Sequence, residues 1–513
     1  MDLSTAFRDA AAVFRRRPAD LLPFYVLTAA IPVITRTVSL AGFAAIYAYL
    51  SVTGRLARIR TALTERDLPA MPDPEADPEA FGRWATEIGT LLEPLFDPVV
   101  GVLLLLTFLV AILVAVLLHA GVAAGQYAVC FARLCEEPGT RAGIGGVRSH
   151  WFSILALAVI EVAVWIAATL VAAIAVAIAA AIHPILGAVI GLAAFLAWTI
   201  IVVGARAVFT FAPVSVIVDD VGALDGVAGA MGFIRSNPAE AIGYYAIAIA
   251  ALFALASAAG VSSFLGAPSV VGLVSLLLLA PGLDLLKTDL LGRWRGAIRP
   301  DTVGSAPDRD LSLDRSLLIA VRDGLRRGWS ELLEFPRATP GLHAIAIFVA
   351  VIGFATGWVA AEPLTGVVTT SIADRLTGHV PPTAALEFFA NNWTVALGTA
   401  LAGVVLAIPA VAALWFNGFI FGIYFRLEAD FAELLAFVVP HGILELPALI
   451  IAGALGLHLG RSGWRTWRGR ASRKALAADL VHAVRVLVGV GLLLFIAGLI
   501  EGFFSPYYYR LFL

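Results

Sequence analysis

Phe388 to Arg461 reads FFANNWTVALGTALAGVVLAIPAVAALWFNGFIFGIYFRLEADFAELLAFVVPHGILELPALIIAGALGLHLGR. The stretch is apolar enough to sit in a bilayer, yet it carries Asn391, Asn392, Asn417, Arg426, Glu428, Asp430, Glu433, Pro440, His441 and Glu445 among its Leu, Ile and Ala. Lipid offers such groups no hydrogen-bonding partner, so they persist there only when paired, wet or functional. How the chain accommodates them decides both the fold and the candidate site.

Working outward, the whole chain shares this character. Of its 513 residues 60% are hydrophobic and only 14% charged, where soluble domains carry about a quarter charged residues. The composition predicts an all-α, polytopic integral membrane protein whose surrounding is the lipid bilayer. The 35 basic and 37 acidic residues nearly cancel, so no global field points to nucleic acid as a partner. Two cysteines, Cys130 and Cys135, argue against a disulfide framework or a zinc site. The apolar run from Leu21 to Leu50 is too long for a signal-peptide core and reads as a retained anchor.

A crossing helix needs about 20 apolar residues. Candidate spans cover roughly 21–48, 98–127, 152–180, 184–212, 241–262 and 268–286, then 342–361, 392–414, a broken or re-entrant hairpin near 415–459, and 483–503, for about ten or eleven crossings. Three parts follow: a six-span membrane domain at 1–299, a cytoplasmic linker with a basic amphipathic helix at 300–340, and a second membrane domain at 341–513. In the linker Leu313, Leu317, Val321, Leu325, Trp329 and Leu333 recur every four residues with arginines on the other faces, the pattern of a helix lying along the inner leaflet.

Orientation is read from where Arg and Lys fall in short loops. Arg8, Arg15, Arg16 and Arg17 place the N-terminus in the cytoplasm, and the loop 51–97, with nine acidic residues against five arginines, suits the outside. Lys287, Arg293, Arg295 and Arg299 bring the chain back inside. Arg461, Arg465, Arg468, Arg470, Arg473 and Lys474 then require residue 460 to end inside, so 415–459 must cross twice or dip and return. Asn417-Gly418 and Pro440-His441-Gly442 are the expected breaks, and the C-terminus falls outside. Ala6–Asp20 and Gly226–Glu240 also form a faint repeat at an offset of 220 residues, each expected as a short interfacial helix before a proline starts the next span.

The candidate polar centre is Asn391, Asn392, Asn417, Gly418, His441, Gly442 and Glu445. His441 and Glu445 are four apart and share a helix face, so together they could hold a metal or a proton. No His-Glu-x-x-His pattern occurs, and the reading taken here is structural: polar side chains satisfying backbone groups freed at helix breaks, with no metal, cofactor or catalytic set assigned. Gly453, Gly456 and Gly460 permit close helix contact, which serves packing within one subunit as well as a homo-oligomer. No Walker motif, dinucleotide fingerprint or nucleophile elbow is present, so the chain is not expected to be an enzyme by itself.

Three pieces of the stretch, Asn391-Asn392 before an apolar helix, Asn417-Gly418 followed by Phe421-Gly422, and Pro440-His441-Gly442-Ile443-Leu444-Glu445-Leu446-Pro447 before a Gly-rich helix, together resemble the stage II sporulation protein M family of integral membrane proteins. The resemblance covers roughly Gly341 to Leu513. It implies a membrane component that acts with partner proteins, as members in endospore formers do when the cell wall is remodelled during engulfment. Membrane-protein partners and a scaffolding role in cell-envelope maintenance are therefore expected, with an ion- or proton-coupled transporter or channel as the alternative.

Overall fold

The computed structural model describes residues 3–16, 18–58, 61, 77–264, 266–298, 313–366, 368–372, 376 and 378–512. Arg17, the acidic run from Pro72 to Ala76, Arg299, Pro300-Asp301 and Ser305 to Asp308 lie outside them. Among the described residues regular structure is helical throughout, apart from one isolated bridge between Thr370 and Glu428. Among the described residues ten helices are long and apolar enough to cross a membrane, so the chain is an all-α, multi-pass membrane protein.

The first part opens with α1 (Leu3–Arg16) and α2 (Pro23–Val52). It continues through α3 (Pro78–Leu92), α4 (Pro98–Leu134), α5 (Gly139–Ile182) and α6 (Pro184–Asp219) to α7 (Ala223–Ser236), α8 (Pro238–Phe264) and α9 (Ser269–Trp294). The starts of these helices are written in the sequence. Asp97 accepts the Val99 amide at 2.7 Å ahead of Pro98, and His183 alone joins α5 to α6, its Nδ1 accepting the Ile185 amide ahead of Pro184. Both copies of the repeat fold as 14-residue helices that stop before a proline, as their pattern predicts.

The second part comprises α10 (Leu313–Ala338), α11 (Pro340–Leu364), α12 (Pro381–Ala402), α13 (Ile408–Leu427), α14 (Phe431–Trp467) and α15 (Arg473–Phe503). Helix α12, which carries Glu387, Asn391 and Asn392, is outside those ten, yet Ala396 to Ala402 are buried and α12 packs on α14, α15, α13, α9 and α2. The two parts share a core across it. A Cβ on Gly398 would stand 2.8 Å from the Ala29 carbonyl, and Leu397 and Leu401 join Val26, Ala30 and Ile34 in one buried cluster.

The structure moves the breaks. Helix α13 runs straight through Asn417-Gly418, and α14 runs straight through Pro440-His441-Gly442 and Pro447. The chain turns instead at Gly403–Ala407, where Leu406 and Ala407 adopt φ of 56° and 62°, and again at Glu428–Asp430. The physical reason is that the glycines serve contact and not turning. A Cβ on Gly418 would lie 2.2 Å from the Ala350 carbonyl, one on Gly422 2.1 Å from that of Phe354, and one on Gly357 1.9 Å from that of Phe419. Residues 350 to 358 advance along α11 as 415 to 422 advance along α13, so the two helices are parallel and packed backbone on backbone. Pro409, lacking an N–H, starts α13 at little cost, and Asp430 accepts the amides of Ala432 and Glu433 to start α14. Residues 415–459 thus belong to two consecutive long helices.

The amphipathic helix is present as α10, and a second face of it packs on α15. Gly328, Leu332 and Phe335 seat against α15, with the Gly328 position 2.8 Å from Val488, while Leu325, Trp329 and Leu333 stay exposed. Glu331 fixes the contact by accepting from His482 at 2.7 Å and Arg485 at 3.1 Å.

Candidate functional site

Helix α14 brings His441 and Glu445 to one face, one turn apart, because its 37 residues are unbroken there. The opposing wall is the end of α15 and the turn after it. Gly498 and Gly502 let this end approach α12, their Cβ positions falling 2.8 Å from the Ala385 carbonyl and 2.6 Å from its Cβ. The His379 ring lies 2.8 Å from the Gly502 carbonyl and pins the same turn. Glu501 and Ser505 are thereby held toward α14.

The result is a compact polar cluster inside apolar helices. His441 Nδ1 lies 3.1 Å from Ser505 Oγ, and His441 Nε2 lies 3.9 Å from Glu501 Oε1. One donor atom each from His441, Glu445 and Glu501 lies within 4.8 Å of the other two. His441 and Ser505 are buried, and Phe437 closes one side with its ring 5.5 Å from the imidazole. Glu501 Oε2 is buried with no hydrogen-bond partner. Among the described residues neither glutamate has an Arg or Lys in an ion pair. Two carboxylates and an imidazole without a cation can share protons or bind a cation.

The other residues singled out from sequence lie elsewhere. Asn391 donates to Asn392 at 3.3 Å on the exposed side of α12, and Asn417 donates to the Ala413 carbonyl of its own helix at 2.8 Å. Gly418 is buried against α11, and Gly442 is buried next to His441. Sequence reasoning missed Glu501 and Ser505. The signal available was a lone acid, Glu501, inside the last apolar span, which warrants attention wherever it occurs.

A second polar centre lies in the first part. Lys287 is not a loop cation. Its Nζ is buried, 2.8 Å from Asp284 Oδ1 and 3.1 Å from the Tyr127 hydroxyl, over whose ring it lies at 4.6 Å. The Tyr25 hydroxyl donates to Asp284 at 3.0 Å and sits 3.0 Å from Cys130 Sγ. A π-helical turn at Ser275–Leu279 precedes this group in α9. Arg293 likewise bonds Asp289 at 2.7 Å and also Asp9, and Arg206 bonds Glu161 at 3.1 Å.

Comparison with known proteins bears on the part that holds the cluster. Residues 344–506 match the family model of stage II sporulation protein M, inside the region where the motifs carry the resemblance. No curated protein and no solved structure matches the chain.

Proposed function

We propose, taking as premise that residues 344–506 are of the stage II sporulation protein M family, that this chain is a non-enzymatic membrane component that recruits or scaffolds other membrane proteins in maintaining the cell envelope. The family match is the observation that carries the reading, since it coincides with a single helical unit from α11 to the turn after α15. That unit is built as a stiff platform. Where Gly353, Gly357, Gly418 and Gly422 meet, the neighbours are backbone atoms, and packed backbones do not slide as side chains do. Alternating access needs one bundle to rock against another, which such seams oppose. The charge pattern of the loops supports an N-terminus in the cytoplasm and a C-terminus outside, with Arg461 to Lys474 inside.

Affinity purification of the full chain in mild detergent tests the reading. A stoichiometric membrane-protein partner is the expected result. A partnerless chain that carries proton- or sodium-dependent flux in liposomes would replace it with the second reading, an ion-coupled transporter, which the unpaired acids beside His441 favour.

A further inference from the structure

We propose that His441, Glu445 and Glu501 form a binding site for one divalent transition-metal cation of the zinc type, bridging α14 and α15. The inference stands apart from partner recruitment and from transport, and it can hold if either fails.

The first observation is the donor set. One imidazole nitrogen and two carboxylate oxygens, contributed by two helices, lie within 4.8 Å of one another. Ligands of a tetrahedral ion at about 2.1 Å stand about 3.4 Å apart, so the group needs to close by at most about 1.4 Å, a movement that glutamate side chains can make by χ rotations. An imidazole with two carboxylates suits zinc and its first-row neighbours, whereas magnesium and calcium favour all-oxygen shells. Three protein ligands leave a fourth position open for water or another donor.

The second observation is how His441 is held. Its Nδ1 faces the Ser505 hydroxyl at 3.1 Å, so a proton on Nδ1 finds an acceptor there and the Nε2 lone pair is left facing Glu501. Metal-binding histidines are commonly oriented in this way, by a hydrogen bond from the ring nitrogen that does not bind the ion. Ser505 therefore acts as a positioning residue.

The third observation is charge. Glu501 Oε2 is buried and unpartnered, and no Arg or Lys among the described residues pairs with either glutamate. Elsewhere this chain closes such accounts: Asp284 has Lys287, Asp289 has Arg293, and Asp20 has Arg133 at 3.8 Å. Two carboxylates facing one neutral imidazole lack two positive charges, and a dication supplies both. A cation held here ties the middle of α14 to the end of α15, at the end of the bundle where Glu428 binds the Thr370 hydroxyl at 2.8 Å.

The test uses the full chain purified in detergent, stripped with chelator, and titrated with Zn²⁺ and separately with Mg²⁺ while binding and thermal unfolding are followed. The expected result is one Zn²⁺ per chain, a higher unfolding midpoint with Zn²⁺ and at least a tenfold preference over Mg²⁺. Glu445→Gln, Glu501→Gln and His441→Gln should each weaken Zn²⁺ at least tenfold, and Ser505→Ala by about 10- to 100-fold, the usual loss for a residue that orients a ligand. If a variant fails to fold, the midpoint of the stripped wild-type chain still decides. No shift with Zn²⁺ would mean that the acids share protons only and would overturn the proposal. So would equal Zn²⁺ binding by a folded triple variant, or equal affinity for Mg²⁺.

Discussion

Asp284 in α9 lies 2.8 Å from an ammonium one turn along its own helix and accepts a tyrosine hydroxyl, whereas Glu501 in α15 has a histidine and a second glutamate for neighbours and, among the described residues, no Arg or Lys. Both groups sit among apolar helices, so both need compensation where water is scarce. In the first part compensation is internal, and it repeats at Asp289 with Arg293 and at Glu161 with Arg206. At Glu501 and Glu445 it is incomplete among the described residues. A balanced buried pair is consistent with a structural role, and an unbalanced one points outward, to a proton or an ion.

The sharpest way to break this comparison is to unbalance the balanced centre. Lys287→Met leaves Asp284 buried beside two tyrosines without its cation, and breaking a buried pair on one side costs about 3–5 kcal/mol. The expected outcome is a marked loss of folded protein in the membrane and a much lower unfolding midpoint in detergent. Adding Asp284→Asn should restore most of it, because the uncompensated charge is then gone. A single variant as stable as the parent would remove the structural reading of this centre.

The two parts also differ in what their glycines touch. Gly243 in α8 would place a Cβ 2.6 Å from a terminal methyl of Leu3, a group that can turn aside, while Gly357 in α11 would place one 1.9 Å from the Phe419 carbonyl. Gly357→Ala should therefore cost about 1–3 kcal/mol by forcing α11 and α13 apart, and Gly243→Ala much less. Chemical unfolding of the two variants side by side reads the difference, and equal costs would mean that the α11–α13 seam is looser than its contacts indicate.

Glu501→Gln in chelator-stripped protein should behave oppositely to Lys287→Met. Removing a buried charge that lacks a partner relieves repulsion while an amide keeps the shape, so the unfolding midpoint should hold or rise, with any destabilisation under about 1 kcal/mol. A drop as large as that of Lys287→Met would show that Glu501 is paired and would erase the contrast between the halves.

How much of this was legible beforehand follows from the kind of signal each feature leaves. Long apolar runs announce helices long enough to cross a bilayer, and over 415–459 the structure has two such helices, α13 and α14. The break points were misread because Asn-Gly and Pro-His-Gly signal turns in water, while in a packed bundle Gly418 is spent on contact with Ala350, and α14 accommodates Pro440 within the helix. His441 and Glu445 were found from their spacing of four. Glu501 and Ser505 were not, because their closeness to His441 depends on α15 folding back, and no local pattern carries a contact across 60 residues of chain. Lys287 reads as a loop cation because it follows the apolar run 268–286, and its partner Asp284 lies only three residues before it.

The smallest expected effect falls on the residue that sequence reading placed at the centre. Asn417 donates its amide to the Ala413 carbonyl one turn back in α13, so its amide is satisfied within its own helix, and among the described residues no hydrogen bond to another helix depends on it. Asn417→Leu should therefore change stability by no more than about ±0.5 kcal/mol, the range of substitutions away from critical contacts. Its neighbour Gly418 faces the other way, with a Cβ that would meet the Ala350 carbonyl at 2.2 Å, and Gly418→Ala should cost about 1–3 kcal/mol. The pair separates two explanations of one motif. If Asn-Gly marked a break, the asparagine would cap it and its loss would be felt; if Gly alone lets α13 lie against α11, only the second substitution matters. Unfolding midpoints of the two variants in one detergent decide between them, and a cost at Asn417 equal to that at Gly418 would reinstate the break.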